Sequence, residues 1–418
     1  MIRKNIFMCA AFCLITVFSA CNDDDPTHHI EGIRLINITP STGSAGEVAT
    51  VLGTNFGATT RENSISINGV EAQILNASAG EIRFLLPPNE PGSYTVKVRT
   101  GDQEVEGLKF TYLHTTSKTY LVSTIVGIKG NANTLDGIGT AATTKLPSGL
   151  AFAPDGSIWF TERGNNAIRR LGADMTVTTL VAGEGLNNPW QGEFDATGNY
   201  YVASKANGKI FKITPDLKCR EFASGINNPM GCVCDEQGNV YVASRDAKKI
   251  IKYTPDGAGF DFITFAELKP NCVLRDKKGN FFVAGTGFYK ILMVTPSGEQ
   301  ITIAGNGEKG TAIEDGAAGN PLAANIGDIM GLGMDDNGAL YICDISSNTI
   351  RILTPDADGD YSKGTLETVA GSGTAGYKDG NGLKASFYNP YAVLPTGDGR
   401  TIYVADVLNY LIRSISVR

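Results

Sequence analysis

Histidine is the scarcest chemically versatile residue in this chain. The 418 residues include three histidines, His28, His29 and His114, and all of them precede residue 119. Histidine is the usual general base and a common zinc ligand. The long region after residue 119 therefore cannot build a Ser-His-Asp or Cys-His catalytic arrangement, or a zinc site with histidine ligands.

Positive charge is also in short supply. Lys and Arg total 36 against 43 Asp and Glu, and the formal net charge is −7. Binding to nucleic acid rests on clustered Lys and Arg, so the composition argues against a nucleic-acid partner. The apolar run at residues 6–18 carries no charge but is too short to span a membrane.

The N-terminus has the pattern of an export leader. Arg3 and Lys4 precede the apolar run, and small residues then lead to Cys21. This resembles a bacterial lipobox, which implies a signal peptide at 1–20 and a lipid on Cys21. The acidic tether at 21–29 resembles the export signals of Bacteroidota surface lipoproteins, so we expect a lipid-anchored protein of the outer membrane, exposed at the cell surface. The lipid anchor would be its sole membrane attachment.

Cys9 and Cys13 would leave with the leader, and the five cysteines after Cys21 follow no metal-ligand or disulfide-framework spacing. Cysteine behaves as a small apolar side chain within a strand. We therefore predict that all five fill space in the core: Cys219, Cys232, Cys234, Cys272 and Cys343.

Residues 30–113 are predicted to form a small β-sandwich. Strand-like runs at 48–52, 64–67, 82–85 and 94–98 are separated by Gly, Asn and Pro turns. The motifs at 38–43, 53–57 and 67–70, with 86–88 and 110–112, resemble an IPT/TIG domain. That resemblance implies an immunoglobulin-like fold that acts as a spacer or contact module.

The region after residue 145 repeats. Turn glycines recur at intervals of 42, 40, 41, 59 and 61 residues, at Gly156, Gly198, Gly238, Gly279, Gly338 and Gly399. Each leads into an apolar strand, with ends expected at Glu162, Ser204, Ser244, Gly285, Asp344 and Asp406. A further strand is expected six residues after each end, at Ile168, Ile210, Ile250, Ile291, Ile350 and Ile412.

The motifs Tyr403-Val404-Ala405-Asp406, Asn409 and Ile412-Arg413 resemble the NHL repeat. This resemblance spans residues 119–418 and implies a six-bladed β-propeller, so the predicted fold class is all-β: an IPT/TIG sandwich followed by the propeller. Because the last repeat ends after three strands, we expect 121–127 to supply the outer strand of the sixth blade and to close the ring.

In a four-stranded blade, the loops from second to third strand and from fourth to next first strand share one face. The first set of loops brings Glu162, Arg163, Lys205, Arg245, Tyr289, Asp344 and Asp406 to that face. The second set follows each opening proline or its equivalent and brings Ser148, Trp190, Met230, Asn271, Asp328 and Tyr391. Asp344 and Asp406 are repeat-pattern residues, which we expect to brace turns.

Aromatic side chains flanked by hydrogen-bonding groups are typical of sites that bind sugar rings. The predicted function is thus binding of an extracellular glycan or polysaccharide, with no catalytic residues. The predicted ligand-binding residues are Trp190, Tyr391, Tyr388, Asn271, Arg163, Lys205 and Arg245. For Trp190 and Tyr391, packing against a neighbouring blade is the competing interpretation. The layout also resembles accessory members of glycan-uptake systems, which implies outer-membrane transport proteins as partners.

Two other functions stay open. One is a protein–protein interaction scaffold in an outer-membrane complex. The other is a calcium-dependent lactonase or lyase, because gluconolactonase-type propellers, which this fold resembles, hold calcium in the tunnel. The oxygen ligands for that site would be Glu162, Asn271, Asp328 and Asp406. No other cofactor is implied.

Overall fold

The computed structural model describes residues 32–43, 47–90, 92–112, 118–310 and 312–418, which fall into two compact units that divide between residues 117 and 118. The leader at 1–20, Cys21, the tether and the three histidines lie outside the described residues. Within the described part of the chain, no helix has the length and hydropathy needed to cross a membrane.

The first unit is a sandwich of two sheets. One sheet has the order β1-β3-β7-β6 and the other β2-β9-β8-β4-β5. The strands are β1 Arg34–Thr39, β2 Thr42–Gly43, β3 Val48–Thr54, β4 Asn63–Ile67, β5 Val70–Glu71, β6 Gln73–Ser78, β7 Glu81–Leu85, β8 Gly92–Thr100 and β9 Gln103–Tyr112. Alternate residues face inward, and Val51, Ile65, Phe84 and Phe110 form its core. All four strands expected from the sequence are present.

The second unit consists of six antiparallel sheets, each of which is one blade of a propeller. Blade 6 contains β10 Tyr120–Val126, which comes from the start of this unit. Blade 1 has β11 Gly137–Ile138, β12 Pro147–Phe152, β13 Ile158–Glu162, β14 Ala167–Leu171 and β15 Thr176–Ala182; blade 2 has β16 Pro189–Phe194, β17 Tyr200–Ser204, β18 Lys209–Ile213 and β19 Cys219–Ala223.

Blades 3 to 6 repeat this order. Blade 3 has β20 Pro229–Cys234, β21 Val240–Ser244, β22 Lys249–Tyr253 and β23 Gly259–Thr264; blade 4 has β24 Lys269–Arg275, β25 Phe281–Thr286, β26 Ile291–Val294 and β27 Gln300–Ala304. Blade 5 has β28 Ile329–Met334, β29 Leu340–Asp344, β30 Thr349–Thr354 and β31 Thr365–Ala370; blade 6 adds β32 Gly380–Asn381, β33 Pro390–Pro395, β34 Thr401–Asp406 and β35 Leu411–Val417. Short 3-10 helices occupy Gly139–Ala141, Lys205–Asn207, Pro321–Ala323, Tyr361–Lys363, Gly382–Lys384 and Val407–Asn409.

The predicted turn glycines connect the first and second strands of the blades. Gly156 has a φ of 80°, and the other five also have positive φ, which favours glycine because a Cβ atom would be strained there. The third strands begin one residue before the predicted isoleucine in five blades and at Ile291 in blade 4.

The ring is closed by pairing between the two ends of the unit. Strand β10 pairs antiparallel with β35, and Leu121 lies opposite Ser416. Thr119 and Arg418 exchange both backbone hydrogen bonds, at 2.8 and 2.9 Å. The predicted segment 121–127 is therefore confirmed with a shift of one residue, and the outer strand of blade 6 comes from the start of the unit.

Apolar side chains from neighbouring blades form a cluster at each of the six blade contacts. Cys232, Cys272 and Cys343 are buried, and Cys219 and Cys234 are half-buried, and all are free thiols. Burial raises the pKa of the Cys272 thiol to about 12. These cysteines fill space in the core, as expected.

Three neighbouring blades, 5, 6 and 1, contain a buried arginine in the third strand. Each pairs with the carboxylate that ends the second strand and with an aspartate from the long loop that precedes the blade. The sets are Arg169 with Glu162 (2.7 Å) and Asp136 (2.9 Å), Arg351 with Asp344 (3.3 Å) and Asp315 (3.5 Å), and Arg413 with Asp406 (2.7 Å) and Asp379 (2.5 Å). Asp344 also accepts hydrogen bonds from the N–H groups of Ser346 and Ser347, and Asp406 accepts one from the Asn409 side chain, so both brace the turn after the second strand, as predicted.

Candidate ligand-binding mouth of the propeller

A β-bulge marks the same point in the first strand of every blade. In blade 2, Pro189 lies opposite Ser204 and Gly192 opposite Val202, so the first strand has one extra residue between them. Such a bulge re-aims a side chain and bends its strand. The bulge directly follows the proline at the start of this strand in five blades, and Ile329 in blade 5.

The bulge places one side chain per blade at one end of the central tunnel. We call these six residues the bulge ring: Ser148, Trp190, Met230, Asn271, Met330 and Tyr391. The sequence assigned Asp328 to the blade 5 position, which is wrong. The residue that opens the blade is Ile329, opposite Asp344, so the equivalent position belongs to Met330. An isoleucine in place of the usual proline caused the error in alignment.

The bulge ring closes the tunnel at this end. Trp190 and Tyr391 stack with their ring centroids 5.5 Å apart and their planes at 24°, and both lie in one apolar cluster with Met230 and Met330. The Nε2 of Gln191 donates a hydrogen bond of 3.1 Å to the Met330 carbonyl, from blade 2 to blade 5. The tunnel is therefore plugged at this end.

We call the stacked rings of Trp190 and Tyr391 the floor of the mouth. Within this floor, Trp190 is buried and offers no exposed aromatic surface to a ligand. Its side chain is 3% exposed, and its Nε1 donates to Asn188 Oδ1 at 2.6 Å. Packing thus accounts for Trp190, the competing interpretation left open by the sequence. Tyr391 is half-buried and Tyr388, three residues earlier, is 42% exposed. Among the predicted ligand-binding residues, these two tyrosines are therefore the aromatic side chains that solvent reaches.

Cationic side chains lie on this floor. The Cζ atom of Arg163 is 4.9 Å from the Trp190 ring centroid and 4.7 Å from that of Tyr391. The Nζ of Lys205 is 4.6 Å from the same Trp190 ring. All three distances are in the range of cation–π contacts. The structure therefore brings together Trp190, Tyr391, Arg163 and Lys205, as the sequence predicted.

Arg245 and Asn271 form an adjoining group. The Nε of Arg245 donates to Asn271 Oδ1 at 3.1 Å, and its Nη1 pairs with Asp246 at 2.8 Å. Asn271 is 1% exposed and donates to Thr286 at 2.6 Å and to the Ile329 carbonyl at 3.1 Å. Because its amide is used inside the protein, Asn271 positions Arg245.

The four oxygen ligands proposed for calcium have separate partners in the structure. Glu162 and Asp406 pair with Arg169 and Arg413, and Asp328 accepts a hydrogen bond from the Gly287 N–H at 2.8 Å. Asn271 bonds to Arg245 as described. Among the described residues, no group of three or more His, Cys, Asp or Glu side chains has metal-binding geometry. These four residues do not converge on a common point.

A cavity of about 220 Å³ lies further along the same first strands. Its lining includes Leu150, Val233, Leu332 and Val393, and it contains one carboxylate, Glu193. Burial raises the pKa of Glu193 to about 7. Sequence reasoning missed Glu193 and Met330. For Glu193 there was a visible signal, because the equivalent residues in the first strands of the other blades are mostly apolar.

Comparisons with known proteins agree with this architecture. Residues 34–112 match the IPT/TIG domain family, so the first unit is an IPT/TIG domain and the second is a six-bladed β-propeller. Among curated proteins, none matches the sequence at a significant level.

Solved structures with the same fold are distant in sequence. An auxiliary nutrient binding protein from Bacteroides ovatus is 19% identical, with a TM-score of 0.61 over 94% of this chain and 100% of that one. A second auxiliary nutrient binding protein, from Bacteroides thetaiotaomicron, is 18% identical with a TM-score of 0.60, covering 93% and 98% of the two chains. A streptogramin B lyase is 15% identical, with a TM-score of 0.50 over 72% of this chain and 98% of that one. At these identities the similarity concerns the fold alone.

Proposed function

We propose that this protein is a surface lipoprotein that captures an extracellular glycan on the plugged mouth of its propeller. The observation that carries the proposal is the stacked Trp190–Tyr391 pair with Arg163 against both rings. A sugar ring has an apolar C–H face edged by hydroxyl groups, so it needs an aromatic surface beside hydrogen-bond donors. Tyr391 and the exposed Tyr388 supply the surface, and the cations supply donors.

The names of the structural relatives support a binding role. Two proteins of the same fold, both from Bacteroides, are described as auxiliary nutrient binding proteins. A plugged mouth also suits binding better than passage of a ligand through the tunnel. We extend the binding role to this chain and assign the glycan to its loop face, with outer-membrane transport proteins as its partners in uptake.

The remaining organisation is part of the same proposal. It comprises a signal peptide at 1–20, a lipidated Cys21 in the tether at 21–29, the IPT/TIG domain at 30–113 and an NHL-type propeller at 119–418. The buried Arg169, Arg351 and Arg413 sets support the NHL assignment. The leader and lipobox support attachment to the outer membrane with exposure at the cell surface.

The test is affinity electrophoresis of residues 22–418 against a panel of purified neutral and charged polysaccharides. We expect at least one polysaccharide to retard the protein, and Tyr388→Ala to weaken that binding about fivefold, since an aromatic contact contributes about 1 kcal/mol. The matched control is Phe260→Ala, an aromatic residue on β23 that is 50% exposed.

Absence of retardation by every polysaccharide would refute the proposal. Capture of a stable outer-membrane protein under those conditions would instead favour the scaffold function. Equal loss of binding in Tyr388→Ala and Phe260→Ala would place the glycan away from the mouth.

A further inference from the structure

Positive charge is concentrated at the mouth, within a chain of net charge −7. The loop from second to third strand has four residues in every blade: 163–166, 205–208, 245–248, 287–290, 345–348 and 407–410. Together these loops contain five cations, Arg163, Lys205, Arg245, Lys248 and Lys290, against one carboxylate, Asp246. These second-to-third-strand loops therefore carry a net charge of +4, five cations less one carboxylate, whereas the protein as a whole is acidic.

The first residue of these loops follows a spatial pattern. In the neighbouring blades 1, 2 and 3 it is Arg163, Lys205 and Arg245, whereas the other three blades have uncharged residues there. We call these three residues the cation arc. Because consecutive blades are neighbours in the ring, the arc borders one half of the mouth, beside the Trp190–Tyr391 floor.

Two members of the arc have charges that the described residues leave uncompensated. Arg245 pairs with Asp246, but Arg163 and Lys205 form no ion pair with any carboxylate of the described chain. The Nε of Arg163 is buried and has no hydrogen-bond partner among those residues. The pKa of Lys205 lies below its ordinary value because of burial, and then because of the nearby Arg245 and Arg163.

The opposite end of the propeller has the reverse character. An aspartate occurs in each of the six turns between first and second strands: Asp155, Asp195, Asp235, Asp276, Asp335 and Asp398. Each accepts hydrogen bonds from its own turn, as Asp235 does from the N–H groups of Gln237 and Asn239. An anionic ligand is therefore attracted to the mouth and repelled from the other end.

We infer that the glycan is an acidic polysaccharide, whose carboxylate or sulfate groups bind the cation arc while a sugar ring lies on Tyr391. This inference rests on the proposed function and specifies its ligand. The guanidinium of Arg163, which is half-buried, and the Nζ of Lys205 donate charge-assisted hydrogen bonds to the anionic group. The anion also offsets the mutual repulsion of the three cations.

The experiment compares polysaccharides that differ in charge, with residues 22–418 and affinity electrophoresis or calorimetry. Dextran and dextran sulfate share a backbone and differ in sulfate, and polygalacturonate tests carboxylate alone. We expect dextran sulfate or polygalacturonate to bind and dextran to bind at least tenfold more weakly. If only one of the two acidic polymers binds, its anionic group, sulfate or carboxylate, is the one recognised. For either polymer we expect added salt to weaken binding.

Two double variants, each of which removes two positive charges, are compared with the wild-type protein. Arg163→Gln with Lys205→Gln removes two cations from the arc, and we expect the Kd to increase at least tenfold, because each charge-assisted hydrogen bond lost weakens binding by about that factor. Lys277→Gln with Lys278→Gln removes two exposed cations from the opposite end, and we expect no change. Unfolding midpoints confirm that both variants fold, and Lys205→Arg, which keeps the charge, should retain binding.

The outcomes separate this inference from the proposed function. Equal binding of dextran and the acidic polymers, unchanged in the arc variant, overturns the inference and leaves glycan capture in place. Binding of none of a wide polysaccharide panel refutes both. Double-stranded DNA bound as tightly as the acidic polymers also overturns the inference, because the arc would then be a nonspecific polyanion surface.

Discussion

The guanidinium of Arg413 and the carboxylate of Asp406 form an ion pair of 2.7 Å in which both side chains are fully buried. Equivalent pairs occur in blades 1 and 5, whereas blade 2 has Ser204 and Phe211 at the same positions. The same two positions of the repeat are thus filled by an ion pair in some blades and by uncharged side chains in blade 2. Variants of blade 6 can therefore be designed on the residues of blade 2.

Arg413→Leu leaves Asp406 buried without its cation. Loss of one partner from a buried pair typically costs about 3–5 kcal/mol, and we expect a loss of that size in the free energy of unfolding, measured by urea denaturation. The double variant Asp406→Ser with Arg413→Phe reproduces blade 2, and we expect it to recover at least half of that loss. A double variant as unstable as the single one would contradict this account.

Trp190→Ala is expected to destabilise the propeller by about 3–5 kcal/mol, because a buried aromatic side chain leaves a cavity and its stack with Tyr391 is lost. Trp190→Phe should keep most of the stability. Thermal unfolding of both variants gives the measurement. Because Trp190 is 3% exposed, the alanine variant tests stability rather than a direct contact with ligand. An alanine variant as stable as wild type would show that the floor is dispensable.

Glu193 should make stability depend on pH. Its pKa in the folded protein, about 7, lies above the ordinary value of 4.5, so the folded state binds the proton more tightly than the unfolded state. Stability from this group is complete below pH 4.5 and is lost as the pH rises through 7.

Glu193→Gln is therefore expected to be more stable than wild type at pH 8 by about 2 kcal/mol, and to differ much less at pH 4. Urea denaturation across this pH range measures the difference. Glu299→Gln makes the same change at an exposed position and serves as the control. A constant difference between the Glu193 variant and wild type at all pH values would rule out the titration of Glu193.

Removal of residues 414–418 deletes the part of β35 that pairs with Tyr120–Ser123. Residues 120–123 of β10 then lose their partners in β35, and β10 keeps only its pairing with β32, Ile412 and Arg413. An exposed strand edge promotes pairing with other chains. We expect a lower unfolding temperature and concentration-dependent oligomers in size-exclusion chromatography. The control is removal of Arg418 alone, which deletes its two backbone hydrogen bonds with Thr119 but preserves the pairing of β10 with β35. A monomeric truncated chain with unchanged stability would show that closure does not depend on this strand.

Local patterns were sufficient to predict much of the fold. Gly156 and its five equivalents need a positive φ at the same turn of each blade, and the apolar strand that follows each turn is visible as a short apolar run in the sequence. Closure was predictable because a repeat that ends after three strands has to find its fourth elsewhere. The long loops, in contrast, are held by Asp136, Asp315 and Asp379, whose arginine partners are distant in sequence.

The candidate site was predicted in part. Arg163, Lys205, Trp190 and Tyr391 do meet, because equivalent positions of successive blades converge on one mouth. The burial of Trp190 and the plug across the tunnel were not predictable, since they depend on contacts such as Gln191 with Met330 between blades on opposite sides of the axis. The placement of Asp328 failed because Ile329 stands where the other blades have a proline, so the sequence lacks the mark that aligns this blade with the rest.

The amino-acid sequence by itself determined the two units, the six repeated blades and the charged and aromatic residues that reach one face, because turns and strand alternation are local properties. The tertiary structure decided which of those residues solvent can reach. Exposure depends on how closely six strands approach a shared axis, and the bulge-ring side chains fill that space. Trp190 therefore became a buried floor, while Tyr388, Tyr391 and the cation arc were left at the surface where a ligand can bind.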